Sequence, residues 1–314
     1  MQVLTEVDRG RIEALRARDE FFWLDLDDPS DETLGEVGAL LGLHPLALED
    51  TREFGQRPKL DRYPEALLLV YYGARAEAGG TGVDLVEVHL HISGSFLFTT
   101  RRTPCRELDT LHDTLVPEDT EAEEYLVYRV LDGLTDALYP VIDELEARID
   151  ALEAAVLQDT NRHQLGAIYR LKQDVQLLLR RLVPQRDQFA SASEAIVELP
   201  GLSHGSRAYL RDIGDHLAQV TGELYRQTDD LSALTSTYFN ANQNRLNLTA
   251  TRLTVLATFF LIWTLVTSFF GQNFKWLTDH IQSLHAFLIW DVLGLIVPTV
   301  VVGVYFWRRR REWL

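Results

Sequence analysis

Two long apolar runs, one after the other near the C-terminal end, constrain this chain more than any other feature. Leu253–Phe270, LTVLATFFLIWTLVTSFF, carries no charged residue over 18 positions. At about 1.5 Å per residue, a helix of that length is about enough to cross ~30 Å of hydrocarbon. Ala286–Trp307, AFLIWDVLGLIVPTVVVGVYFW, is the second run. It holds one acid, Asp291, close to its N-terminal end, and a kink-forming Pro298. One run alone would fit a buried helix of a soluble protein. Two side by side, with tryptophan toward both ends of the second, point to membrane spans. Between the runs, Lys275 is the only lysine or arginine; Arg245 and Arg252 precede the first run, and Arg308–Arg311 follow the second. Positive residues collect on the cytoplasmic side, so both termini are expected in the cytoplasm, with a short external loop at residues 274–285. The expected location is a cell membrane, plasma or inner, crossed twice.

Charge excludes some functions. The net charge of −17 argues against a nucleic-acid binder, which needs a basic face. Most of the charge precedes residue 253, an asymmetry that the mean hydropathy of −0.08 conceals. The single cysteine, Cys105, allows no internal disulfide and fits a reducing compartment. The opening MQVLTEVDRGRIEAL has no basic n-region and no apolar h-region, so no secretory signal is expected. No nucleophile–base motif, phosphate loop or zinc-finger spacing occurs, and an enzyme is not expected. Nor is a covalent cofactor.

The rest of the chain divides by pattern. Residues 1–120 mix strand and helix signals and are expected to form an α+β cytoplasmic domain with a small mixed sheet. FFWLDL, ALLLVYYGARA, VDLVEVHLHIS and GSFLFTTRR are β-rich, and SDETLGEVGALLGL is a helix capped by Ser30. Residues 121–202 are helical and coiled-coil-like, up to a break at VELPGLSHGS. Then one uninterrupted helical pattern runs to Phe270, on the order of 100 Å long. It comprises a stalk at 203–252 and the first membrane helix at 253–271, followed by the loop at 272–285, the second membrane helix at 286–307 and a basic tail at 308–314. A helix of that length is usually held by partners, which suggests an oligomer.

That long helix carries a polar stripe. Asn240, Asn244, Asn247, Thr251, Thr254 and Thr258 recur at intervals of four and three. Thr264, Ser268 and Gly271 roughly prolong it, with Leu261 interrupting. Two arrangements fit the spacing equally. The groups could hydrogen-bond between neighbouring helices in lipid, or several copies could surround an axis and line a pore. Neutral oxygen groups suit a hard cation that keeps its water, and no acid lies in the first membrane run.

The sequence GQNF after a Thr-rich apolar helix, then a short loop, a second apolar helix and a basic tail ending in WL, resembles the CorA family of divalent-cation transporters. FFWLDLDDPSDETLGEVGALLGLHPLALED, RPKLDRYPEALLLV, YLRDIGDHLAQV and NRLNLTATRLTVLAT extend the resemblance over nearly the whole chain. It implies a homopentamer with a funnel-shaped cytoplasmic domain and a pore lined by the first membrane helix. The family's outer Gly-Met-Asn signature falls on Gly271, Gln272 and Asn273, with Asn273 gathering a hydrated ion. Its lower pore asparagine falls on Asn247, its threonine ring on Thr264, and its apolar constrictions on Leu253 and Leu261. Asp212 corresponds to a subunit-interface metal site through which intracellular Mg2+ closes the channel. The sequence departs from the family in carrying Gln272 for methionine, Ile262 for the usual proline and Ala250 at another methionine position, and in lacking an acidic loop. The loop offers Lys275, Asp279, His280 and His285 instead. Signature variation accompanies zinc and other transition ions in the family. Mg2+ stays the leading expected ion despite that variation, with Zn2+, Co2+ and Ni2+ the alternatives. A membrane-anchored structural or signalling protein that has lost conduction is the contrasting reading.

Overall fold

A computed structural model of the chain describes residues 2–75, 83–114, 123–199, 207–272, 274–280 and 282–308. Asn273 and Arg309–Arg311 lie outside them. The chain forms two compact units: Met1–Ala155 with Asn161–Thr235, and Val156–Thr160 with Ser236–Leu314.

A six-stranded mixed sheet organises the first unit. Its strands are β1 (Gln2–Leu4), β2 (Phe22–Asp27), β3 (Lys59–Arg62), β4 (Leu67–Arg75), β5 (Asp84–Ile92) and β6 (Phe96–Arg101). The spatial order is β1-β2-β6-β5-β4-β3, with β1, β2 and β6 parallel and the remaining pairs antiparallel. Helices cover both faces. Alternation along β5 sends Val86, Val88, Leu90 and Ile92 to one side, with Trp23 and Leu97. That side packs on α4 (Arg106–Thr114), α5 (Glu123–Asp136), the end of α7 (Arg162–Val197) and the start of α8 (Arg207–Phe270). Phe22, Leu24, Phe96 and Phe98 face the other way, toward α1 (Arg9–Ala17) and α2 (Asp31–Leu41). Helix α2 starts as its sequence dictates: the Ser30 hydroxyl accepts from the Thr33 amide at 3.1 Å, and Gly42 closes it in the left-handed region at φ 71°. Helix α3 (Pro45–Arg52) follows.

Two contacts explain how helices sit on β4. At Gly73 a Cβ would lie 3.1 Å from the carbonyl oxygen of Leu134, so glycine lets α5 approach the strand backbone. Strand β3 reaches only as far as Val70 on β4. Beyond it, Gln185 of α7 takes the place of a strand. Its Oε1 accepts from the Tyr72 amide at 2.7 Å and its Nε2 donates to the Tyr72 carbonyl at 3.0 Å. A buried ion pair, Asp25 with Arg101 at 2.5 Å, fixes β2 to β6 at their C-terminal ends.

The helical pattern of the middle region is broken twice. Helix α5 gives way at Ala137 to α6 (Leu138–Gln158), and the Asn161 capping box starts α7. Helix α8 then runs 64 residues without interruption. In the second unit it is followed by short α9 (Lys275–His280), α10 (Leu284–Phe287), a π-helical turn at Leu288–Val292 and α11 (Leu293–Arg308). Two helical stretches, Arg207–Phe270 and Leu284–Arg308, are long and apolar enough to cross a membrane, and none of their most apolar window is buried. Soluble cores do not leave such surfaces bare.

Candidate functional site

In the second unit, α8 meets α11 along one side. Trp263 Nε1 donates to Thr299 Oγ1 at 3.1 Å, and the Phe270 ring passes over Gly294, where a Cβ would lie 3.7 Å from it. Val255, Phe259, Ile262, Val266 and Phe270, at intervals of four and three, are only partly exposed. The polar stripe falls mostly elsewhere. Asn240, Asn244, Asn247, Thr254, Leu261, Thr264 and Ser268 are all exposed, as is Leu253. At about 100° per residue, Asn240, Asn247, Thr254, Leu261 and Ser268 recur every seven positions and drift about 20° per interval. The continuous helix therefore brings these five onto one line. Leu253 and Thr264 share a second line, about 100–120° around the helix from Asn247.

The hydroxyls of Thr254, Thr258 and Thr264 share one orientation. Thr254 donates to the Ala250 carbonyl at 2.9 Å, Thr258 to Thr254 at 2.9 Å, and Thr264 to Phe260 at 2.8 Å. Each spends its one proton on the helix and keeps oxygen lone pairs for other partners. Asn247 Oδ1 accepts from Gln243 Nε2 at 3.1 Å. Water bound to a cation turns its hydrogens outward, so acceptors of this kind fit a hydrated ion.

At the end of α8 the Gly271 amide donates to the Thr267 carbonyl at 2.8 Å, and the Gln272 amide to Phe269 at 3.3 Å. A Cβ at Gly271 would lie 3.0 Å from the Thr267 oxygen, closer than carbon and oxygen pack comfortably. Glycine permits this turn, and Gln272 leaves it exposed. In α9, His280 Nδ1 pairs with the Trp276 carbonyl at 2.8 Å and its ring stacks on Trp276 at 4.5 Å, leaving Nε2 alone for any ligand. Asp291 sits half-buried in the π-helical turn.

In the first unit, Asp212 stands with two residues that the sequence did not single out. Asp132 of α5, Asp212 and His216 each bring one ligand atom within 4.8 Å of the others. His216 Nδ1 lies 3.8 Å from Asp132, and its Nε2 lies 3.9 Å from Asp212. Burial, and then Asp136, push Asp132 above the usual carboxylate range; burial, and then Asp132, push Tyr128 up to about 12. A cation would relieve both. Two carboxylates and an imidazole make a competent donor set for a divalent ion. His216 was legible as the residue one helical turn after Asp212. Asp132 was not, because it arrives from another helix. A second trio, Asp25, Asp109 and His112, surrounds Arg101, which donates to Asp25 at 2.5 Å and to Asp109 at 2.6 Å. The guanidinium already fills the place a metal would take.

Residues 18–311 match the family model described as CorA-like Mg2+ transporter protein. The chain belongs to the CorA-like Mg2+ transporter family. It is a divalent-metal transporter of the CorA/ZntB kind and not an enzyme. The cobalt/magnesium transport protein CorA of Thermotoga maritima is 24% identical to it over 289 residues, 90% of this chain and 80% of that one. The zinc transport protein ZntB of Yersinia enterocolitica is also 24% identical, over 309 residues, 96% of this chain and 90% of that one. The CorA magnesium transporter of Methanocaldococcus jannaschii shares the fold with a TM-score of 0.76 at 20% identity, over 93% of this chain and 91% of that one. The α+β domain, the long helix and the two apolar helices are thus those of a CorA-like membrane protein.

Proposed function

We propose that five copies of this chain assemble around α8 into a funnel-shaped channel for a hydrated divalent cation, most favourably Mg2+, in a plasma or inner membrane with both termini cytoplasmic. The observation that carries this is the orientation of the polar side chains on α8. Exposed threonines back-bond to their own helix and present acceptors, with Asn240, Asn244 and Asn247 before them and no acid among them. Such a surface offers hydrogen-bond acceptance to a water shell and too little charge to strip it. Gly271, Gln272 and Asn273 form the outer filter in this reading, with Asn273 holding the hydrated ion. Asn247, Leu261 and Ser268, on one line of α8, face the path in this reading, with Leu261 narrowing it; Leu253 and Thr264, on the second line, border it where neighbouring copies meet. Flux into proteoliposomes, followed with a metal-sensitive dye, tests it. Wild type should pass Mg2+ and Asn273→Ala should pass none; absence of flux for every divalent ion would leave a non-conducting homologue.

Zn2+, with Co2+ and Ni2+ behind it, is the second reading, favoured by Gln272 in the signature and by the 24% identity to a relative named for zinc transport. The same liposomes decide it: faster flux of Zn2+ than of Mg2+ overturns the magnesium assignment.

Asp212, with Asp132 and His216, serves in this proposal as the regulatory cation site. Asp212→Ala should leave the channel open at magnesium concentrations that close wild type. Unchanged closure would remove the regulatory role.

A further inference from the structure

Asp291 is the only charged residue in either apolar run, since Leu253–Phe270 has none. An acid inside a membrane run is costly and is kept where it has a partner or a path to serve. It lies in the π-helical turn at Leu288–Val292, where the Leu293 amide donates to the Leu288 carbonyl. Such turns inside α-helices recur at functional sites. Its side chain makes no hydrogen bond or ion pair among the described residues.

Two observations set this acid beside the end of α8. Asp291, Leu295, Pro298, Val302 and Phe306, at intervals of four and three, are only partly exposed, whereas Leu293, Ile296, Val297 and Val301 are exposed. The covered side is the one that carries Gly294 and Thr299, which meet Phe270 and Trp263 of α8. Those two contacts also make the helices antiparallel and fix their relative height. Asp291 lies three residues beyond Gly294, about 4–5 Å along the axis, and Gln272 lies two residues beyond Phe270, about 3 Å. The two side chains therefore stand at nearly one height. Gln272 is exposed, and its side-chain amide makes no hydrogen bond among the described residues.

We propose that Asp291 is a positioning residue for Gln272: its carboxylate accepts from Gln272 Nε2 and so turns Gln272 Oε1 toward the path of the ion. The inference rests on the channel reading above, in which Gln272 stands in the outer filter. A glutamine amide carries an acceptor oxygen on one side and two donor hydrogens on the other. The water shell of a cation turns its hydrogens outward, so only the oxygen serves, and an amide without a partner can present either end. A carboxylate on the nitrogen fixes the choice through a charge-assisted hydrogen bond, as carboxylates do behind metal-ligating side chains. A methionine at this position has no donor and needs no such acid.

Flux into proteoliposomes of whichever ion wild type passes faster, Mg2+ or Zn2+, tests this when read as the half-saturating concentration. Asp291→Ala should raise that concentration roughly tenfold, the effect of losing a hydrogen bond to a charged group. In the Gln272→Met background the same substitution should change nothing further, because the side chain it positions is gone. Asp291→Asn, which keeps the shape and one acceptor oxygen without the charge, should fall between wild type and Asp291→Ala, and it carries the test if the alanine variant fails to assemble. Half-saturation unchanged in the Asp291 variants overturns the proposal. So does an equal rise in both backgrounds, which would mean that the acid acts through its field or through packing and not through Gln272. A wild type that passes no divalent ion overturns the channel reading and this inference with it; either of the other two results, in a conducting wild type, overturns this inference alone.

Discussion

His91 shows how far a single residue can be followed from its position. On β5 it alternates with Leu90 and Ile92 and so points to the α1–α3 side of the sheet, where its Nε2 meets Thr51 Oγ1 at 2.8 Å and its ring stacks on Phe98 at 5.3 Å. Burial, and then His89, lower it to about 3 from an ordinary value of 6.5. The folded chain keeps this imidazole neutral while the unfolded chain takes up a proton below about 6.5. The stabilisation is whole above that pH and is lost as pH falls from there toward about 3. The melting temperature of detergent-purified protein should therefore fall more steeply over that window in wild type than in His91→Gln; equal slopes would contradict the assignment. At this scale the sequence was partly legible. Ser30 as a cap follows from its neighbours, because capping is a contact over three residues. The Asp132–His216 approach does not, because it joins residues 84 positions apart by number, as does the Tyr128–Asp212 bond.

Elements were legible in proportion to their length and regularity. The long α8 and strands β2, β4, β5 and β6 follow from apolar periodicity, and β4 is apolar almost throughout because helices cover both faces. The strands β1 and β3 were not, with three and four residues too few to show a period. Gln185 belongs to this scale as well. In a helical sequence it is an unremarkable polar residue, yet it completes the hydrogen bonding of β4 where β3 stops. Gln185→Leu leaves the buried amide and carbonyl of Tyr72 without partners, a cost of about 2–4 kcal/mol. Thermal unfolding of the purified variant should show a melting temperature several degrees below wild type. An unchanged value would mean that water or a neighbouring group replaces the amide.

At the scale of the whole molecule, the polar line on α8 acquires a purpose only among several copies. Native mass measurement of the detergent-solubilised protein should give five chains per particle, and a monomer or dimer would end the pore reading. The sequence by itself determined the two membrane helices, the uninterrupted α8 and the family, because helical period, apolar length and a short signature are properties of neighbouring residues. Tertiary structure alone decided the strand order β1-β2-β6-β5-β4-β3, the approach of Asp132 to Asp212 and His216, and the seat of Gln185 on β4. Each of these depends on which faces close on one another, and that is settled by burial summed over the fold rather than by any local pattern.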